Sequence, residues 1–175
     1  MRRMLIPVAS AVLLVVMAIA PISAAPNIKY RTFGDASITE GPAGTFTIVV
    51  GGGQYGGVYV NSRSNSGKAI GDVSFSFRAT GNFGGGAPRF SLPINVTGSD
   101  NSVEYYAFID RNSCGGAELV STDSATCTVY AGSEVFPNWA LFAFAHPTYR
   151  IAPGTIPFMI SDVPGTYVVS DIDLR

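Results

Sequence analysis

The chain has 175 residues, of which only 13% are charged, with eleven Lys plus Arg against twelve Asp plus Glu. Arg2 and Arg3 lie in the leader, so the remainder carries nine bases against twelve acids, a net charge of about −3 that offers no basic footprint for nucleic acid or an anionic membrane. About 150 residues follow the leader, enough for one domain that buries roughly 70% of its unfolded surface and too few for a second.

The first element is a leader. Arg2 and Arg3 are followed by an apolar run and a small-residue exit at Ile22-Ser23-Ala24, the pattern of a cleaved secretory signal over 1–24, with the mature domain at 25–175. The run is about 15 residues and is interrupted by Pro7 and Ser10, short of the roughly 20 that span a bilayer, so no transmembrane segment is expected after cleavage. The expected location is secreted, extracellular.

From there the chain reads as short apolar or alternating runs separated by Gly, Pro, Asn and Ser, the sign of an all-β antiparallel sandwich of jelly-roll type. Strands are predicted at 28–33, 45–50, 57–61, 73–79, 89–96, 103–110, 118–121, 126–130, around Arg150, at 156–160 and at 166–172. The stretch 137–145 is apolar at every position and reads as a strand buried on both faces, with a short buried helix as the alternative. All eleven Phe, all eight Tyr and Trp139 follow the leader, so large rings are available for the core.

Two strand pairings follow from alternation. Opposing the inward sets places Phe77 beside Phe90, Phe75 beside Leu92 and Val73 beside Ile94, and in the next hairpin Ile94 beside Tyr105 and Phe90 beside Ile109. The reverse face then carries the rows Arg78, Arg89, Asp110; Ser76, Ser91, Phe108; Ser74, Pro93, Tyr106; and Asp72, Asn95, Glu104. Arg78 opposite Arg89 is repulsive, partly offset by Asp110, and calls for a second counter-charge near Arg78. Pro93 cannot donate to a ladder and marks a candidate bulge.

Several motifs have plain structural readings. Gly51-Gly52-Gly53-Gln54-Tyr55-Gly56 matches the dinucleotide glycine pattern, but it leads into β-like Val58-Tyr59-Val60 rather than a helix and reads as a turn. The single His146 is followed by Pro147 and no G-x-S-x-G occurs, so a nucleophilic triad is disfavoured and no catalytic residue is assigned. Glu104 and Asp110 lie six residues apart on one strand face, about 20 Å, too far for glycosidase chemistry. Cys114 and Cys127, an even pair in an exported chain without a CxxC, are expected to form a disulfide closing a loop worth about 3 kcal/mol. No metal site or cofactor is assigned, although Ser99-Asp100-Asn101 and the Asp171/Asp173 pair offer oxygen ligands of the kind structural calcium takes.

Tyr106 and Phe108, set among small residues on the polar face with Arg78, Arg89 and Asp110 nearby, form the candidate ligand site. Such rings suggest a flat platform for sugar, with the charged groups hydrogen-bonding hydroxyls. The competing reading has them buried under another segment.

The segments Gly71-Asp72-Val73-Ser74-Phe75-Ser76-Phe77 and Gly84-Gly85-Gly86-Ala87-Pro88-Arg89-Phe90, with the strand that follows and 105–110, resemble a group of uncharacterised secreted bacterial β-sandwich proteins. The resemblance covers 57–111. It implies a sandwich fold and export, and it brings no activity with it.

These readings point to a secreted binding or surface-associated module, with polysaccharide or cell-surface glycan as the first ligand class and binding favoured over catalysis. A secreted hydrolase with carboxylates from separate loops is the alternative, and a structural envelope protein without ligand is a third.

Overall fold

A computed structural model describes residues 28–61, 65–81, 84–98 and 100–175; the expected signal at 1–24, and Ser99 of the calcium candidates, lie outside the described residues. Two antiparallel sheets pack face to face. The first half of the chain supplies β1 (Lys29–Gly34), β2 (Ser37–Glu40), β3 (Phe46–Val50), β4 (Gly56–Asn61), β5 (Phe75–Gly81), β6 (Arg89–Asn95) and β7 (Tyr105–Asp110). The second half supplies β8 (Leu119–Ser121), β9 (Val129–Ala131), β10 (Glu134–Phe136), helix α1 (Trp139–Ala145), β11 (Arg150–Ile151), β12 (Phe158–Ser161) and β13 (Gly165–Leu174). The larger sheet runs β1-β4-β12-β6-β7-β9-β10 with β11 also beside β6, and the smaller runs β2-β3-β13-β5-β8.

The β6–β7 hairpin has the register that alternation predicts: Arg89 faces Asp110, Phe90 faces Ile109, Ser91 faces Phe108, Pro93 faces Tyr106 and Ile94 faces Tyr105. Pro93 causes no bulge. Its carbonyl accepts the Ala152 amide at 2.9 Å, so its nitrogen points to the same side, where the neighbouring chain leaves the sheet between β11 and β12 and no N–H is needed.

The other hairpin is a correction. β5 does not pair with β6; it lies in the smaller sheet between β13 and β8, with Arg78 opposite Ser170 and Leu119. The glycine-rich 84–88 stretch carries the chain across the sandwich instead of reversing it within one sheet. Alternation specifies which residues face the core and is silent on which sheet holds them, so the apolar set is right while its neighbours are not. Phe75 therefore stacks on Phe90 across the interior, with centroids 4.5 Å apart, and Phe77 lies 6.5 Å from the same ring. Phe75, Phe77, Phe90, Leu92, Ile94 and Ile109 are buried, and Tyr105 packs partly buried against them.

Residues 137–145 do not form a strand. Asn138 caps a helix over Trp139–Ala145, its side chain accepting the Leu141 amide at 3.0 Å, and Trp139 and Phe142 are the two residues it buries. The Trp139 indole donates to the Ile70 carbonyl at 3.1 Å, which ties the helix to the Ile70–Asp72 turn. The short edge strands β2 (Ser37–Glu40) and β10 (Glu134–Phe136) lie outside the predicted strands. Residues 51–54 form a turn, with the Gln54 amide bonded to the Gly51 carbonyl. Cys114 and Cys127 are disulfide-bonded, tying the Asn112–Cys114 turn after β7 to the approach to β9.

Candidate functional site

The outer face of the larger sheet carries a cross-strand row that runs through seven of its eight strands, from β1 to β10, leaving out β11. Arg31 pairs with Tyr59, Tyr59 with Phe158, Phe158 with Ser91, Ser91 with Phe108, Phe108 with Tyr130 and Tyr130 with Val135. At strand spacings near 4.8 Å the row spans about 29 Å. Each ring faces outward because its sequence neighbours face the core: Val58 and Val60 around Tyr59, Met159 beside Phe158, Val129 and Ala131 around Tyr130.

The rings pack on one another edgewise. Tyr59 meets Phe158 at 6.1 Å and 72°, and Tyr106, one pair further along β7 and 46% exposed, meets Phe158 at 5.4 Å and 70°. The Tyr106–Phe158 contact reaches across β6, whose Ser91 and Pro93 are buried beneath. Phe33 packs 4.5 Å from Tyr59 over Gly57, where a β-carbon would stand 2.7 Å from the Phe33 ring and 1.9 Å from the Met159 carbonyl oxygen. At the other end Phe108 and Tyr130 are nearly parallel, 5.2 Å apart at 19°. The surface is thus a ridged strip of tilted rings rather than the flat platform expected from Tyr106 and Phe108 alone. Neither ring is sealed under another segment, Phe108 being half-buried and Tyr106 exposed.

Guanidinium groups lie over two of the rings, Arg31 4.9 Å from the Tyr59 centroid and Arg89 5.5 Å from that of Phe108. Arg89 is held by Asp162, not by its cross-strand neighbour Asp110: the two guanidinium nitrogens donate to the two carboxylate oxygens at 2.8 and 2.6 Å. That hydrogen-bonded fork holds the Asp162 carboxyl below the usual carboxylate range, against the opposing effect of partial burial. Arg78 is not part of this face. It belongs to the smaller sheet, and its counter-charge is Asp171 at 3.3 Å, on the β13 irregularity where Asp171 has φ +50°. Ser74 and Ser76 leave the site with it, and the expected repulsion between Arg78 and Arg89 does not arise.

Beside the Phe108–Tyr130 stack a cleft of about 340 Å³ opens, lined by Gly85, Gly86, Phe108, Asp110, Asn112 and Tyr130. Asp110 is 3% exposed; its Oδ1 accepts the Ser113 amide at 2.9 Å while its own amide donates to the Ser113 hydroxyl at 2.9 Å. Gly86, at φ +79°, brings the 84–86 turn so close that a β-carbon there would lie 3.2 Å from Asp110 Oδ2. Asn112 is exposed.

A second cleft, of about 530 Å³, lies beside α1 and is lined in part by Asp72 and Asp123, which come from separate loops. His146 is at the end of α1, stacked on Tyr149 at 4.1 Å with its Nε2 3.1 Å from a Glu134 carboxylate oxygen. Of the calcium candidates, Asp100 accepts from the Ser102 hydroxyl, the Ser102 amide and the Asn95 side chain, bonds that lower its carboxyl pKa. Asp171 and Asp173 pair with Arg78 and Arg175.

No family model matches the chain and no curated protein matches it. Among solved structures, one described as "Crystal structure of HCR/D-Sa-GBL1/C" aligns at 13% identity and TM-score 0.33 over 87% of this chain and 44% of that one. Another, described under "Cell entry of botulinum neurotoxin type C is dependent upon interaction with two ganglioside molecules", aligns at 14% identity and TM-score 0.32 over 85% and 43%. The chain thus spans under half the length of either, and a likeness at that level carries no argument about what it binds.

Proposed function

We propose that this protein is a secreted glycan-binding module that engages a single polysaccharide or oligosaccharide chain along the outer face of its larger sheet. The row Arg31, Tyr59, Phe158, Phe108, Tyr130 carries the reading. Its rings offer apolar faces and edges to the C–H surfaces of successive sugars, and polar groups are few and fixed in place, as ligand sites require. Tilted rings suit a chain lying in the strip better than a flat crystalline surface, for which coplanar rings would be needed. The disulfide accords with an oxidising compartment, and among the described residues no helix is long and apolar enough to cross a membrane.

The test is affinity against a chain-length series of soluble oligosaccharides. Affinity rises with length until the glycan spans the row, and Tyr59→Ala and Phe158→Ala each weaken it by about tenfold, roughly 1.4 kcal/mol. A protein that binds no glycan on a broad array ends the proposal. A hydrolase is the second reading, favoured by Asp72 and Asp123 sharing the larger cleft; turnover of an oligosaccharide that is lost in both Asp72→Asn and Asp123→Asn would put it ahead.

A further inference from the structure

We infer that the cleft beside the Phe108–Tyr130 stack is a selective subsite for one neutral pyranose with adjacent hydroxyls, and that it rejects acidic sugars; the inference rests on the glycan-binding reading of the row. Four observations combine. The cleft is concave and, at about 340 Å³, lies at the small end of ligand sites, so it admits a single ring rather than a chain. One wall is the stacked pair Phe108 and Tyr130, which offers the apolar contact a pyranose face requires. The polar lining is supplied by Asp110 and Asn112, a carboxylate and a carboxamide two residues apart.

The fourth observation is that Asp110 is fixed before any ligand arrives. Its Oδ1 is engaged by the Ser113 amide, and the same three-residue turn is tied at Cys114 to Cys127. A carboxylate so held accepts from sugar hydroxyls with little reorganisation, and charge-assisted hydrogen bonds are the stronger kind. Asn112 supplies a donor and an acceptor beside it. The same carboxylate opposes a second one: a uronic or sialic acid placed here would bring like charges together beside the Phe108–Tyr130 wall. Arg89 offers little relief, because its positive charge is already paired with the Asp162 carboxylate.

Backbone NMR titration of the full mature chain tests this, using methyl glucoside, methyl galactoside and methyl mannoside as neutral probes and methyl glucuronide as the acidic one. At least one neutral glycoside should shift the Asp110, Asn112 and Tyr130 amides saturably, and methyl glucuronide should bind at least about tenfold more weakly. Asp110→Asn retains the acceptor for the Ser113 amide and should narrow that gap, while Asn112→Ala, at an exposed position that leaves folding intact, should weaken the neutral sugar about fivefold. If oligosaccharides shift Tyr59 and Phe158 while no monosaccharide perturbs the cleft, or if the glucuronide binds as well as the neutral probes, the subsite is refuted and the row survives. Absence of any glycan-induced shift refutes both.

Discussion

Removing the Phe90 ring tests the cross-sandwich assembly most directly. Phe90 is fully buried on β6 and meets Phe75 at 4.5 Å and Phe77 at 6.5 Å from the opposite sheet, so Phe90→Ala empties a ring-sized volume between two sheets that are each fixed by their own hydrogen bonds. Neither sheet can collapse into the gap without breaking register, which places the loss in the range of about 3–5 kcal/mol. For a domain of this size each kcal/mol lowers Tm by about 2–4 °C, so a fall of about 6–20 °C is expected. Urea denaturation monitored by circular dichroism gives the free energy, provided the slope with urea matches the unmodified protein. Phe75→Ala and the double variant complete a cycle, in which the stacked pair should show a coupling of about 0.5–1.5 kcal/mol. A loss below about 1 kcal/mol for Phe90→Ala, or additive single losses, would mean that these rings do not meet across the interior.

The other predictions concern the surface and its supports. Tyr106→Ala should cost under about 1 kcal/mol of stability, because the ring is half exposed, yet reduce retention on an oligosaccharide column; a large stability loss would make the ring structural. Arg78→Ala, on the opposite sheet, should leave glycan affinity unchanged, and a drop there would place the site elsewhere. The depressed Asp162 carboxyl contributes stability that is complete above the unfolded carboxyl pKa of about 3.9 and disappears as pH falls through its lower folded value. Asp162→Asn should therefore destabilise at pH 7, by under about 1 kcal/mol for so exposed a pair, and the difference in urea midpoint should close as pH falls through the lowered Asp162 pKa. Reduction of Cys114–Cys127 should cost about 3 kcal/mol, and intact mass with and without reduction before alkylation establishes the bond; two thiols alkylated without reduction would contradict it.

Alternation within a strand made the core faces legible, and where a short loop joined two alternating runs it made their register legible too, as in β6 and β7. It could not reveal that β5 crosses to the other sheet, because an inward Phe obeys the same period in either layer. The helix over Trp139–Ala145 had a legible cap in Asn138, outweighed by a run apolar at every position. The candidate site was visible only in its β6–β7 part, Arg89 with Tyr106, Phe108 and Asp110. Tyr59, Phe158 and Tyr130 carried the same local signal as Tyr106 and Phe108, an aromatic where alternation calls for an outward residue, but their alignment into one row depends on pairings between segments up to about a hundred residues apart. Arg78 was drawn into the site by the mistaken hairpin, and Asp162, the true partner of Arg89, lies 73 positions away.

β13 joins β3 on one side and β5 on the other, so it lies at the centre of the smaller sheet, and every strand it connects precedes it in the chain. During synthesis the smaller sheet therefore waits as two separate fragments, β2-β3 and β5-β8, until residues 165–174 have emerged. Pairings this distant in sequence also form slowly. A chain with this order stays open while most of its length is being made, and it exposes the edges of β3 and β5 to wrong partners for the same interval.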